Sequence, residues 1–362
     1  MKRLARKCIF EIKCYKPGKP IEEVERELGI KEAIKLASNE NPSGPSSAVL
    51  KTIKGCLSKL NRYPDDQGFY LTGELAKKFR VSRDNIVLGC GSDEIMELAA
   101  KAFILPGDEV VFGDQSFVMY RIIAQMMNAK PVAVPLKNYT YDLDAMGKVI
   151  NKKTKLVFIA NPNNPTGTIV DDKAVRRFVK KAGRNVIIVF DEAYAEYVED
   201  KNYPRTLEIV RNNPNCIMLR TFSKIYSLAG LRIGYGIADS SLVDCLKRVR
   251  LPFNTSSIAQ VAAVASLREK GWVERVRKTN GLGKKYLYGE IEKMGLEYIP
   301  TQTNFIFVKL GAGAGRIAKK LLNKGVIVRD MASFGLQDCI RVTIGNSREN
   351  KKFIASLKKV LK

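Results

Sequence analysis

Short apolar runs ending in a cluster of Gly, Asn, Asp or Ser, each followed by a helix-like pattern, recur along the first two thirds of the chain. Ile86-Val87-Leu88 leads into Gly89-Cys90-Gly91-Ser92, the run 156–160 into Asn161-Pro162, 186–190 into Asp191, and 217–219 into Thr221-Phe222-Ser223-Lys224. Runs that are apolar at successive positions, rather than alternating, predict strands buried on both faces. Their alternation with helices predicts a parallel α/β sheet. In such sheets ligands collect beyond the carboxyl ends of the strands. The polar clusters stand at those ends, so chemistry is expected there.

After about residue 250 the pattern changes. A helix-like stretch over 257–277 precedes shorter strands at 304–308, 326–328 and 340–344, again alternating with helices. This predicts a second, smaller α+β unit. The start of the chain, with Pro17, Pro20, Pro42 and Pro45, reads as an arm. The expected organisation is an arm over 1–40 that partly joins the small unit, a large unit over 41–250 and a small one over 251–362. The final segment 351–362 places Phe353, Ile354, Leu357, Val360 and Leu361 at helical spacing among lysines, which predicts a last helix docking an apolar stripe on its domain. A basic amphipathic helix on a membrane surface is the less favoured alternative.

Length and composition agree with this picture. The 362 residues suffice for two or three compact units, and 45% hydrophobic with 27% charged residues excludes a disordered or fibrous chain. No run approaches the roughly 18 apolar residues of a membrane span. The apolar run Cys8-Ile9-Phe10 is too short for a secretory leader, so the expected location is the cytoplasm. Lys and Arg number 62 against 37 Asp and Glu, a net charge of +25. The cations are spread, in clusters such as Arg176, Arg177, Lys180 and Lys181, and no nucleic-acid-binding signature accompanies them. They read as solvated helix faces in a protein whose field attracts anionic substrates, with no nucleic-acid or membrane partner expected.

The seven cysteines are odd in number and never spaced as Cys-x-x-Cys, so neither a disulfide framework nor a metal site is indicated. Histidine is absent altogether. That removes every Ser-His-Asp or Cys-His mechanism and leaves proton chemistry to Lys, Tyr, Asp, Glu or a cofactor.

Ser223-Lys224 follows a buried strand, with Arg232 eight residues on. This suggests a nucleophilic amine beside an anion site, the arrangement that forms a Schiff base with a carbonyl cofactor. Gly89-Cys90-Gly91-Ser92-Asp93-Glu94 offers a phosphate cradle, since the glycines let the backbone approach and Ser92 opens a helix with free N–H groups. Asp191 follows its strand directly, as a carboxylate holding a protonated pyridine nitrogen would. Tyr194, three residues later, and Asn164 within Asn161-Pro162-Asn163-Asn164-Pro165-Thr166-Gly167 could then donate to the phenolic oxygen of such a ring. Each feature also has a plain reading, as a turn, a cap or a surface residue. Their co-occurrence in this order is what points to pyridoxal phosphate.

In that order the motifs resemble the fold-type I pyridoxal-phosphate enzymes of the aspartate aminotransferase superfamily, and within it the histidinol-phosphate aminotransferase family. The resemblance also covers Tyr15-Lys16-Pro17-Gly18-Lys19-Pro20, Leu36-Ala37-Ser38-Asn39-Glu40-Asn41-Pro42, Asn61-Arg62-Tyr63-Pro64-Asp65, Val328-Arg329-Asp330 and Ile340-Arg341-Val342-Thr343-Ile344-Gly345. It implies a large domain with a mostly parallel seven-stranded sheet flanked by helices, plus a smaller α+β domain. It implies pyridoxal 5'-phosphate as cofactor, Lys224 as its Schiff-base partner and proton carrier, and Asp191 on the pyridine nitrogen. Asn164 and Tyr194 would bond the phenolic oxygen and Phe117 would stack on the ring. Ser92, Asp93, Ser223 and Arg232 would hold the phosphate, with Tyr63 reaching across a homodimer whose site is shared. Tyr15, Asn39, Arg329 and Arg341 would bind substrate. The implied substrates are histidinol phosphate and glutamate or 2-oxoglutarate. An aromatic aminotransferase or a threonine-phosphate decarboxylase of the same family is the nearest alternative, and a basic nucleic-acid-binding protein the distant one. Cys90 departs from the family, which commonly has Asn between the two glycines.

Overall fold

Each of the continuous apolar runs becomes a strand in the computed structural model, which describes residues 3–14 and 18–362. The strands are β1 (Ile34–Lys35), β2 (Ile86–Gly89), β3 (Glu109–Gly113), β4 (Lys130–Val134), β5 (Thr154–Ala160), β6 (Ile187–Asp191), β7 (Cys216–Thr221), β8 (Gly234–Ala238), β9 (Glu297–Ile299), β10 (Phe305–Lys309), β11 (Val326–Ile327), β12 (Arg329–Asp330) and β13 (Cys339–Thr343). Seven of them form one sheet in the order β2-β8-β7-β6-β5-β3-β4. All neighbours in it are parallel except the two that involve β8. Helices cover both faces, which is why Leu156, Val157, Phe158 and Ile159 are all fully buried although they point alternately up and down. One contiguous core runs from these strands into the covering helices. The fold is thus an α/β architecture with a mostly parallel seven-stranded sheet.

A second core surrounds a four-stranded antiparallel sheet, β12-β13-β10-β9. Ile306, Val308, Ile340 and Val342 meet Leu287 and Ile291 of the helix Trp272–Lys293 there, and Phe353, Ile354, Leu357 and Val360 of the helix Ser347–Leu361. The last helix therefore docks its apolar stripe on the sheet, and the membrane-surface alternative is set aside. Among the described residues no helix is long and apolar enough to cross a membrane.

One expectation about this half needs correction. The stretch 257–277 is two helices, Ser257–Arg268 and Trp272–Lys293, separated at Gly271 with φ +73°. A left-handed residue ends helical pairing, and an apolar pattern that continues across it cannot show the break. The strand expected at 326–328 forms as β11, and a second short strand, β12, follows it directly. β11 pairs in parallel with β1 near the start of the chain, whereas β12 pairs with β13. This switch of partner within three residues brings 34–39 against the second sheet, where Thr343 N–H donates to Leu36 O at 2.8 Å.

Candidate active site

The carboxyl ends of β2, β5, β6 and β7 open onto a cavity of about 300 Å³, lined at one end by Ser92, Asp93, Ser223 and Arg232. The helix Gly91–Phe103 starts at this end, and Cys90 supplies no side-chain cap to its free N–H groups. Two close approaches fix the cradle. A Cβ on Gly91 would lie 2.5 Å from Arg232 Nη2, and one on Gly234 would lie 2.6 Å from the Ser92 nitrogen. Among the described residues Arg232 is held by long contacts, to Ser223 Oγ at 3.3 Å, Ala229 O at 3.2 Å and Asp93 Oδ2 at 3.4 Å. Burial raises the Asp93 carboxyl above its usual range, against the pull of Arg232 and Lys224. Helix N-terminal amides, a hydroxyl and a loosely held guanidinium together form a receptor for an anion.

Asp191 ends β6 on the cavity wall and is 6% exposed. Its Oδ2 accepts the Tyr120 hydroxyl proton at 2.7 Å and its Oδ1 a backbone N–H of Ala193 at 3.3 Å. Burial pushes its carboxyl up to about 6, an effect that the Tyr120 hydrogen bond partly offsets.

Lys224 faces the same space, with Nζ 3.4 Å from Ser38 O and 5.5 Å from the centre of the Tyr194 ring. Its loop is pinned one residue further on, where Ile225 O accepts from Asn41 Nδ2 at 3.2 Å and Trp272 Nε1 at 2.9 Å. Tyr194 and Asn164 also line the cavity, and each has its acceptor side occupied from behind. Asn39 Nδ2 donates to the Tyr194 hydroxyl oxygen at 2.8 Å, and Arg341 Nη1 donates to Asn164 Oδ1. Both residues are thereby left to act as donors toward the cavity. Arg341 also donates to Ala37 O at 2.7 Å, and Thr343 Oγ1 accepts the Asn39 N–H at 2.9 Å. Ser38 and Glu40 thus form one wall of the cavity, in a segment that Arg341 and Thr343 of the second sheet hold from behind.

Of the expected site residues, Ser92, Asp93, Phe117, Asn164, Asp191, Tyr194, Ser223, Lys224 and Arg232 line this one cavity. Asn39 and Arg341 are bonded directly to its lining. Arg329 is the cross-strand partner of Arg341, so both side chains leave the sheet on the same face. Tyr63 is not in the cavity. It is 82% exposed and stacks on Phe253 at 4.7 Å. Tyr15 lies outside the described residues. Three residues escaped the sequence reading: Tyr120, three residues after Phe117, and the ion pair of buried Glu192, next to Asp191, with partly buried Arg220. The position of Glu192 directly after Asp191 is the only local signal any of them carries.

Against known proteins, the family model "Aminotransferase class I and II" matches residues 31–357. The histidinol-phosphate aminotransferase of Moorella thermoacetica is 48% identical over 98% of this chain and 92% of its own length. The chain belongs to the histidinol-phosphate aminotransferase family. Another member of that family, histidinol-phosphate aminotransferase 2 of Carboxydothermus hydrogenoformans, is 45% identical over 99% of both chains. Among solved structures, the histidinol-phosphate aminotransferase of Sinorhizobium meliloti in complex with pyridoxal-5'-phosphate superposes with a TM-score of 0.91 at 27% identity, covering 99% of this chain and 97% of that one.

Proposed function

We propose that this chain transfers the amino group of L-histidinol phosphate to 2-oxoglutarate, giving 3-(imidazol-4-yl)-2-oxopropyl phosphate and L-glutamate in histidine biosynthesis, with pyridoxal 5'-phosphate as cofactor. The observation that carries the reading is the convergence of a buried carboxylate, a primary amine, two oriented donors and a cationic cradle on one cavity, in a member of this family. The donor set suits that cofactor. A Cβ at Gly91 or Gly234 would intrude on the anion cradle, and the buried Asp191 calls for a cationic partner. Ser92, the Asp93 amide, Ser223 and Arg232 would hold the phosphate. Asp191 would hold the ring nitrogen, Phe117 the ring face, and Asn164 with Tyr194 the phenolic oxygen. When bound, the cofactor supplies an electron sink and carries the amino group between the two substrates.

The protein's own groups then have distinct tasks. Asp191 would pair with the ring nitrogen and favour its protonated form. Lys224 Nζ would move a proton between the substrate carbon that bears the amine and the cofactor's C4′. Arg341 and Arg329, side by side on β13 and β12, grip either the carboxylates of glutamate or the phosphate of histidinol phosphate, because a guanidinium fork fits both. Asn39 and Tyr15 complete the substrate end. The apolar surface around Tyr63, where Leu251, Phe253, Phe69 and Tyr70 are also exposed, supports a homodimer in which Tyr63 serves the cavity of a second copy. The cytoplasm is the proposed location.

The test is a spectrum of the purified protein mixed with histidinol phosphate alone. Conversion of the aldehyde form of the cofactor to the amine form, reversed by 2-oxoglutarate, is the expected result. Conversion by phenylalanine or tyrosine but not histidinol phosphate would reassign the substrate, and a colourless protein would overturn the cofactor itself.

A further inference from the structure

Tyr120 touches the site from behind and carries no assigned role. It is fully buried, and its hydroxyl donates to Asp191 Oδ2 at 2.7 Å. The ring is clamped on three sides. It stacks on Phe158 at 4.6 Å and 9°, meets Phe117 edge-on at 5.8 Å, and lies 6.2 Å from Phe112. A ring so packed holds its hydroxyl in one place. Phe117, the expected stacking residue for the cofactor ring, therefore leans on the same tyrosine that restrains the carboxylate. One aromatic cluster sets both the face and the ring-nitrogen end of the cofactor site.

The hydrogen bond is one-directional. Burial, with Asp191 beside it, holds the Tyr120 phenol well above its usual range, so the phenol keeps its proton and donates it to Asp191 Oδ2. Oδ2 is thereby committed. Among the described residues Oδ1 has the long Ala193 contact at 3.3 Å and keeps capacity for a strong donor. The charged and titratable groups that face Asp191 are Tyr120, Asp93 from the helix Gly91–Phe103, Lys224 from the loop after β7, and Tyr141. Of these, only Tyr120 donates a hydrogen bond to the carboxylate.

We infer that Tyr120 is a positioning residue for Asp191: its hydroxyl fixes which carboxylate oxygen meets the cofactor's ring nitrogen and lowers the carboxylate's affinity for the shared proton, so that the proton stays on the ring. The inference rests on the pyridoxal-phosphate reading. A ring nitrogen that keeps its proton withdraws electrons more strongly and makes the Lys224 nitrogen bonded to the cofactor a weaker base. Without the hydroxyl, Asp191 competes better for the proton, the ring withdraws less, and the cofactor's visible absorbance changes at a higher pH.

The test compares wild type, Tyr120→Phe and Phe158→Leu as cofactor-loaded enzymes. Tyr120→Phe keeps the ring and removes only the hydroxyl; Phe158→Leu disturbs the stack but leaves the hydroxyl. The readouts are the pH midpoint of the visible absorbance change, the rate of cofactor loss on dilution, and kcat with KM for histidinol phosphate. A hydrogen bond to a charged group supports a loss of about tenfold or more. The expected result for Tyr120→Phe is a midpoint raised by about one pH unit, about tenfold weaker cofactor retention, and kcat down about tenfold with KM nearly unchanged. Phe158→Leu, which keeps the hydroxyl, lowers the melting temperature and moves the midpoint by clearly less than Tyr120→Phe does. A Tyr120→Phe enzyme whose midpoint and cofactor retention match wild type, whatever its melting temperature, overturns the inference. A wild type that takes up no cofactor overturns the reading beneath it, and the two failures are told apart by the colour of the unmutated protein.

Discussion

Arg220→Met tests whether the ends of β6 and β7 are held together by charge. Arg220 on β7 binds Glu192, directly after β6, through Nε at 2.8 Å and Nη2 at 2.6 Å, and reaches Glu196 Oε1 with Nη1 at 3.0 Å. The Glu192 side chain is 1% exposed and that of Glu196 is 9% exposed. Thr206 Oγ1 donates to Glu192 as well. Removing the arginine leaves two buried carboxylates without their cation, a loss of about 3–5 kcal/mol. With an unfolding entropy of about 2.1 cal/mol/K per residue over this length, that lowers the melting temperature by about 4–7 °C. Because Asp191 adjoins Glu192 and Thr221 adjoins Arg220, the same variant is expected to release cofactor faster. The assay is a thermal melt by circular dichroism, with cofactor loss followed by visible absorbance. Replacing Arg220, Glu192 and Glu196 together by Met and Leu removes the stranded charges and is expected to recover most of the loss. A single Arg220→Met variant melting within about 1 °C of wild type would refute the reasoning.

In the cofactor-free protein, the folded state favours the protonated Asp191, because its carboxyl is raised from 3.8 to about 6. Its contribution to stability is fully present below about pH 4 and lost as pH rises to about 6, so Asp191→Asn, free of that loss, is expected to be more stable than wild type at pH 7 by about 3 kcal/mol while binding cofactor poorly. Urea melts of the two stripped proteins that run parallel from pH 4 to 8 would count against it. Lys224→Ala is expected to abolish transamination while cofactor still binds noncovalently, checked by turnover and dialysis. Gly91→Ala, at φ +75° with its Cβ 2.5 Å from Arg232 Nη2, is expected to displace that guanidinium and weaken cofactor binding about tenfold or more, read by titration of the stripped enzyme. Arg329→Ala is expected to raise KM for histidinol phosphate more than for glutamate, and unchanged histidinol-phosphate kinetics would remove its assigned role.

The chain's own pattern determined the strand–helix alternation, the positions of the polar clusters at strand ends, and the chemistry-bearing residues within them. Each is a local property. Unbroken apolar runs bury both faces of a strand, and Asp191 or Ser223-Lys224 stands at a strand end because the sequence places it there. Tertiary structure alone decided what lies opposite. Nothing near Phe117 announces that Tyr120 will reach Asp191, 71 positions later, and nothing near Asn39 announces Tyr194 or Thr343. The same holds for the break at Gly271, the change of sheet between β11 and β12, and the charge cluster around Arg220. Hydrogen bonds, ion pairs and strand partners depend on distances in space, set by how the two cores pack. Hydrophobic periodicity records which face of an element is buried, not which group it is buried against.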